Sequence, residues 1–438
     1  MGLCCARITP FSSHVHNLKP FNLSLLDQVT PTTYSPLIFF YNIKNFHLKN
    51  TRITTQLKLS LSNTLNVYYP LSGRVKNNLI IDQFDAGVPY FEARVKGNLS
   101  DFIREPPMEM FNMFLPYEPF CQQQLDPTLG MLAVQVNIFD CRGIALGICF
   151  SHKINDGITS SSFMKTWAAN SCGSGSYNKV VQPMFPLQKS LPSRYTSLME
   201  TLWFSKKAFR TRRFVFNESA VSALRAKGRS EYVENTTRVE ALSAFIWKCL
   251  MKACENISGS PRSSVMSQAV NIRRLMKPRM SRYSIGNLVW STIARYNPDE
   301  TEMEMKELVS LVREGVGKVN SEYLKSFSGE KGSLAILEHL DELGEISMEN
   351  PDVFSFYSWH TFGFSEIDFG YGKPVWVGIF GEANRNSASD SNFIILKDVG
   401  RNNAIEAWMT LDENIMDVLE NDPEFLAFAS LNPCITSD

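Results

Sequence analysis

Between Val134 and Phe150 the chain changes its hydrophobic rhythm. Val134, Val136 and Ile138 alternate with Gln135 and Asn137, a period of two that predicts a strand with one face buried. Asp140-Cys141-Arg142-Gly143 supplies turn chemistry. The run Ile144-Ala145-Leu146-Gly147-Ile148-Cys149-Phe150 is then apolar throughout, as in a strand buried on both faces. The two read as a hairpin. Its first polar residues, Ser151-His152-Lys153-Ile154-Asn155-Asp156-Gly157, emerge where the sheet edge opens onto a cleft. Phe163, Met164, Trp167 and Ala168 follow at helical spacing, which places a helix behind this segment.

Strand and helix patterns are mixed elsewhere, without internal repeats. Residues 171 to 213 carry Gly173-Ser174-Gly175-Ser176, Pro183, Pro186 and Pro192 and form the best linker candidate. Beyond it, Arg213–Phe216 reads as a strand, and Asn217 as the cap of a helix through Leu224. Thr237-Arg238-Val239-Glu240 fits a capping box ahead of Leu242, Phe245, Ile246 and Leu250. An amphipathic helix is expected over about Glu302–Val319. Strands are expected at Ile394–Leu396 and Ala404–Leu411, and a final helix capped by Asp412.

A chain of 438 residues is long for one core and suggests two domains. Apolar residues make up 44% and charged residues 20%, the composition of a soluble globular protein. Lysine plus arginine equals aspartate plus glutamate, 44 of each, so bulk attraction to nucleic acid or anionic membrane is not expected. The basic cluster from Lys206 to Arg213 reads as surface and loop charge. Nine cysteines, with no Cys-x-x-Cys pair, and six scattered histidines point to reduced thiols in the cytoplasm and to no metal site. No stretch reaches membrane-spanning length, and the N-terminus lacks the apolar core of a signal peptide. Gly2, Cys4 and Cys5 hint at lipidation, but Ala6 breaks the myristoylation pattern.

Histidine takes and returns protons near neutral pH, so His152 is the candidate base. On a regular helix His152 and Asp156 share a face and form a dyad. In a loop or first turn, Asp156 points elsewhere and holds backbone. Spacing alone leaves both arrangements open. No Gly-x-Ser-x-Gly elbow, Walker loop or dinucleotide fingerprint is present, which leaves base-assisted group transfer from an activated donor as the simplest chemistry. A second patch runs from Ser358-Trp359-His360-Thr361-Phe362-Gly363 to Asp368-Phe369-Gly370-Tyr371-Gly372. Its glycines and aromatic read as a structural corner, with Arg273 as a candidate cationic partner for Asp368.

These pieces together resemble the plant BAHD acyltransferases, which are coenzyme-A-dependent. His152-x-x-x-Asp156-Gly157 and Asp368-Phe369-Gly370-Tyr371-Gly372 match the family's two motifs. Phe21–Gln28, Tyr69–Arg74, Asp85–Pro89, Thr237–Glu240, Asn271–Arg273 and Gly286-Asn287 are similar to further family segments, so the likeness covers almost the whole chain.

The resemblance implies an α/β fold of two similar chloramphenicol-acetyltransferase-like domains of mixed sheet plus helices, with a solvent channel between them. The N-terminal domain would span residues 1–190 and also receive a segment near 366–388. A crossover at 191–212 would lead to a C-terminal domain over 213–438. His152 would be the general base and Asp156 the brace of its loop. Asp368, Gly370, Tyr371 and Gly372 would lie off the reaction centre, with Arg273 paired to Asp368. Tyr34, Gly157, Tyr357, Ser358 and Trp359 are the candidates for substrate contact. Acyl-CoA, above all acetyl-CoA, would be a co-substrate, with no permanently bound cofactor and no metal.

The other partner would be a small-molecule alcohol, an alkaloid or terpenoid by similarity to one branch of the family. The protein would act as a cytoplasmic monomer. A longer or aromatic acyl donor, a non-catalytic metabolite-binding relative, and use of the base for elimination or cyclisation are the alternatives. Three departures stand out: Tyr371 replaces the usual tryptophan, Arg142 a glycine, and His360-Thr361 the usual Cys-Arg. The N-terminus reads as slightly short of the family's first strand.

Overall fold

The structure is a computed structural model and describes residues 4–43, 50–119, 129–173, 182–186, 208–327, 332–382, 391–400 and 403–435. Two mixed sheets carry the architecture. The first has six strands in the order Cys4–Ile8, Val88–Val95, Leu132–Phe139, Ile144–Ser151, Tyr34–Tyr41 and Trp376–Gly378. Only the pair Val88–Val95 and Leu132–Phe139 is parallel. Its last strand comes from the far end of the chain. Its first strand, Cys4–Ile8, pairs with Val88–Glu92.

The second sheet has seven strands, ordered Val289–Tyr296, Ser264–Asn271, Asp352–Ser358, Phe393–Asp398, Ile405–Asp412, Phe209–Phe216 and Ser430–Leu431. The strand Phe209–Phe216 begins inside the segment expected to be a crossover, and residues 187–207 lie outside those described. A small third sheet joins Phe21–Asn22, Ile80–Asp82 and Arg74–Lys76.

The expected hairpin is present, with Leu132–Phe139 antiparallel to Ile144–Ser151. The first of these strands is nevertheless buried on both faces, not on one. Its polar side chains face the short 3-10 helix Met108–Phe114, where they supply hydrogen bonds to carbonyls at its end. Gln135 Nε2 donates to the Met113 carbonyl at 2.8 Å, and Asn137 Nδ2 to those of Phe114 and Ala145 at 2.9 and 3.0 Å. Buried amides paired in this way do not carry the desolvation cost that the alternating pattern would otherwise signal. The same segment explains Gly147, where a Cβ would stand 1.9 Å from the Phe114 carbonyl oxygen.

Helices Asn50–Leu65 and Gly157–Ser171 cover one face of the first sheet. Leu57, Leu61, Phe163 and Trp167 pack there against Phe39, Val136, Leu146 and Ile148. The other face meets the second sheet directly: Ile38, Phe40, Cys149 and Trp376 share a core with Phe393, Ile395 and Trp408. Each large apolar side chain buried in such a layer contributes about 1.5–3 kcal/mol. Helix Arg238–Ser258 fills the outer face of the second sheet.

Helix ends follow local chemistry. Thr237 and Glu240 form the expected capping box, Asn217 caps Glu218–Lys227, and Asp412 caps Glu413–Leu419. The amphipathic helix starts at Met305 and ends at Lys318. A further short helix, Pro423–Leu426, follows the one expected to be last, because Asp422 and Pro423 restart the turn. Among the described residues no helix is long and apolar enough to cross a membrane.

Candidate active site

His152 stands one residue past the strand Ile144–Ser151, and its backbone is held on both sides. Its N–H donates to the Thr33 carbonyl at 2.8 Å, and its carbonyl accepts from Asn287 Nδ2 at 2.7 Å. The side chain is half-buried. Enough protein surrounds the ring that burial lowers its pKa, opposed by its own backbone and by Asp156. A lowered pKa keeps the imidazole neutral at pH 7, the form that can accept a proton.

Asp156 does not form a dyad with His152. It caps helix Gly157–Ser171, accepting from the Thr159 N–H at 2.8 Å. Arg273 holds both of its oxygens, with Nη1 to Oδ2 at 2.6 Å and Nη2 to Oδ1 at 3.0 Å. The Leu288 N–H adds a contact to Oδ2 at 3.1 Å. Arg273 is itself pinned by the carbonyls of Ser284 and Gly286. The aspartate thus ties the histidine loop to the C-terminal half of the chain.

This arrangement overturns the expected pairing of Arg273 with Asp368. Asp368 Oδ1 instead accepts three backbone N–H groups, from Gly370 at 2.7 Å, Tyr371 at 3.1 Å and Gly372 at 3.0 Å. Both glycines have positive φ, 95° and 99°, and that geometry turns successive N–H groups towards one carboxylate oxygen. The three donors meet the need that a cation was expected to fill. Tyr371 finds its partner as well: its hydroxyl donates to Gln56 Oε1 at 2.8 Å, and burial raises its pKa to about 12. Phe369 packs its ring on Trp167 and Tyr41. The corner is therefore structural and lies on the helical side of the first sheet.

The five residues expected at the substrate occupy different places. Tyr34 has no exposed surface; its hydroxyl donates to the Gly130 carbonyl at 2.5 Å and its ring packs on Tyr117. It braces the strand beside Ser151. Gly157 faces Phe362, whose ring atoms would stand 2.1 Å from an added Cβ. The Phe362 carbonyl accepts from Ser161 Oγ at 2.5 Å and Lys165 Nζ at 2.9 Å, so this loop is docked on the helix behind His152.

Tyr357 is half-buried and packs on Phe393. Ser358 Oγ lies 2.6 Å from His360 Nδ1, a contact that the departure at position 360 creates. Trp359 joins the cores on both sides of the first sheet.

Sequence reasoning assigned no role to several residues that hold the loop. Lys153 is fully buried and donates to the carbonyls of Asp27, Gln28 and Thr30. Asn287, Thr159 and Leu288 contact the loop directly. Asn287 stood in a recognised segment, but its partners are remote in sequence and left no local signal. Arg142 adopts φ 69°, the left-handed conformation that a glycine takes without strain.

A family model described as the Transferase family matches residues 6–426. The chain belongs to this family, the BAHD acyltransferases. It is 35% identical to a limonoid 7-O-acetyltransferase from Citrus sinensis, covering 98% of this chain and 97% of the relative. It is 34% identical to akuammiline synthase 2 from Alstonia scholaris, with the same coverage of each chain. The crystal structure of vinorine synthase superimposes with a TM-score of 0.82 at 27% identity, over 100% of this chain and 99% of that one. The two-sheet architecture is thus the BAHD fold, and the protein is a BAHD-type acyltransferase.

Proposed function

We propose that this BAHD acyltransferase moves an acyl group, preferentially acetyl, from acyl-CoA to a hydroxyl of a plant alkaloid or terpenoid alcohol, with His152 as general base. The observation that carries the reading is the state of His152: a neutral imidazole at a strand end, its backbone fixed at both the N–H and the carbonyl. Nε2 takes the proton of the acceptor hydroxyl as the oxygen attacks the thioester carbonyl. The tetrahedral intermediate then collapses, the C–S bond breaks, and the coenzyme A thiolate leaves and recovers the proton. The products are an ester and free coenzyme A.

Similarity to the limonoid 7-O-acetyltransferase supports acetyl as the group and oxygen as the acceptor atom. In this reading the enzyme works as a cytoplasmic monomer, needs no resident cofactor or metal, and takes its acceptor into a channel between the two domains, beside Tyr357 and Trp359. Incubation of the purified protein with acetyl-CoA and a panel of polycyclic alcohols, following free thiol and ester, tests it. Thiol release that depends on both the alcohol and His152 is the expected result. Acceptor-independent silence across the panel, with acyl-CoA of several chain lengths, would overturn it.

A further inference from the structure

The departure at position 360 gives this chain a pair of groups that acyl transfer by His152 does not use. Strand Asp352–Ser358 ends at Ser358, but its ladder runs one bond further, the Trp359 N–H donating to the Leu396 carbonyl at 2.7 Å. A backbone held extended through Trp359 puts the side chains of residues 358 and 360 on one face. There Ser358 Oγ and His360 Nδ1 lie 2.6 Å apart. Trp359, between them, is packed into the cores, so the backbone that carries the two polar groups is fixed.

We propose that Ser358 and His360 form a second nucleophile–base pair, which hydrolyses small activated carboxylic esters through an acyl-serine. With the ring proton on Nε2, Nδ1 accepts from the Ser358 hydroxyl, the arrangement in which a neighbouring base activates a serine. Although His360 is exposed, the surrounding protein still lowers its pKa, with Asp398 opposing this and Arg238 adding to it. The ring is therefore neutral at pH 7 and ready to take a proton. Asp398 is held by Arg238, whose Nη1 lies 3.3 Å from Oδ1, and its charge favours the imidazolium as that forms.

In the first step Ser358 Oγ attacks the ester carbonyl and its proton passes to Nδ1. The bond from the acyl carbon to the leaving oxygen breaks, and that oxygen takes the proton from His360. Water then attacks the acyl-serine and loses a proton to Nδ1. The Ser358 oxygen leaves and recovers that proton. Ester and water become acid and alcohol, and no other reactant is consumed.

The oxygen that turns negative on the way needs N–H donors. The turn is closed by the Phe362 N–H on the Trp359 carbonyl, at 3.3 Å. It leaves the N–H groups of His360 and Thr361 without a partner among the described residues. Ser358 is half-buried and His360 exposed, so a small ester reaches the pair without displacing the loop of His152. An exposed site lacks the dry surroundings that strengthen such contacts, and the hydrolysis is accordingly slow beside that of a dedicated esterase.

The test uses the full-length protein with two probes. One is p-nitrophenyl acetate, followed by release of p-nitrophenol. The other is a fluorophosphonate, whose serine adduct does not hydrolyse, followed by peptide mass mapping. Ser358 is expected to carry the phosphonyl group, and the acetate ester to be cleaved faster than in buffer, in the wild type and in His152→Ala alike. Ser358→Ala should lose the adduct and slow the cleavage. His360→Gln, which keeps a hydrogen-bonding side chain but no base, should slow both reactions roughly 10²-fold, with a melting curve to show that it folds.

An unlabelled Ser358 in the wild type overturns the proposal. So does labelling as fast in folded His360→Gln, or cleavage as fast in Ser358→Ala. The His152→Ala arm keeps this outcome separate from the acyl-transfer reading: a protein inert towards acyl-CoA and alcohols can still label at Ser358, and an active transferase can fail to.

Discussion

Arg273 grips Asp156 with two guanidinium nitrogens across 117 residues of sequence, and both side chains are almost wholly buried. The contact joins the loop of the candidate base to the turn Ser284–Leu288 of the other half. An ion pair in this setting is costly to break from one side, because the surviving charge stays buried. Arg273→Met should therefore destabilise the protein by about 3–5 kcal/mol. Arg273→Lys should recover little, since a single ammonium cannot span both oxygens. Denaturant melts of the two variants check this.

Asp156→Asn should lower stability and rate together, because the aspartate supports the loop and touches no reacting atom. A dyad would behave differently, losing rate while the melt stayed put. Kinetics and melting on the same preparation separate these outcomes.

His152→Ala should lower turnover by roughly 10²–10⁴-fold with the fold retained. The wild-type pH profile carries a second expectation. Burial depresses the His152 pKa below its ordinary value of 6.5, so the acid limb of kcat/KM should fall with a midpoint below 6.5. In the unfolded chain the imidazole binds its proton more readily than in the native protein. The stability linked to His152 is therefore complete above 6.5 and is lost as pH falls from there towards the native value. Rate profiles and melts between pH 5 and 8 test both statements.

Gly157→Ala should cost about 1–3 kcal/mol through overpacking, although alanine favours helices elsewhere. The new methyl group would collide with the Phe362 ring. Combining it with Phe362→Leu should restore part of the loss, a coupling that a double-mutant cycle reads directly.

Glu406 is fully buried between Lys397, Arg213 and the indole N–H groups of Trp376 and Trp408. Burial pushes its pKa up, but the two cations and the hydrogen bonds outweigh this and hold it at about 2. Its contribution is present above the unfolded value of 4.5 and fades as pH falls through the range down to 2. Glu406→Gln should lower stability by roughly 3 kcal/mol at pH 7, with the difference from wild type shrinking below pH 4.5.

The features legible in the sequence are those written in short stretches. The apolar run ending at Phe150 located the candidate base, Thr237 and Glu240 marked a helix start, and the glycines around Tyr371 marked a corner. Contacts that bring distant segments together left no such trace. Nothing near Asp156 names Arg273, and Asp27 and Asn287 meet across 260 residues. The pairing of Arg273 with Asp368 was the wrong choice between two carboxylates because sequence does not reveal that Asp368 is satisfied by its own N–H groups. Gln135 and Asn137 misled for a related reason, since the carbonyls that receive them lie more than twenty residues upstream.

The strand Trp376–Gly378 has a consequence for synthesis. It pairs with Tyr34–Tyr41, so the edge of the first sheet stays open on the ribosome until the chain has grown past residue 378. Phe39 and Phe40 lie on that unprotected edge, and an apolar open edge invites pairing with other chains. Truncations ending before Trp376 should therefore emerge insoluble, not as a free-standing first half. The polypeptide must be nearly finished before either half has its final boundary.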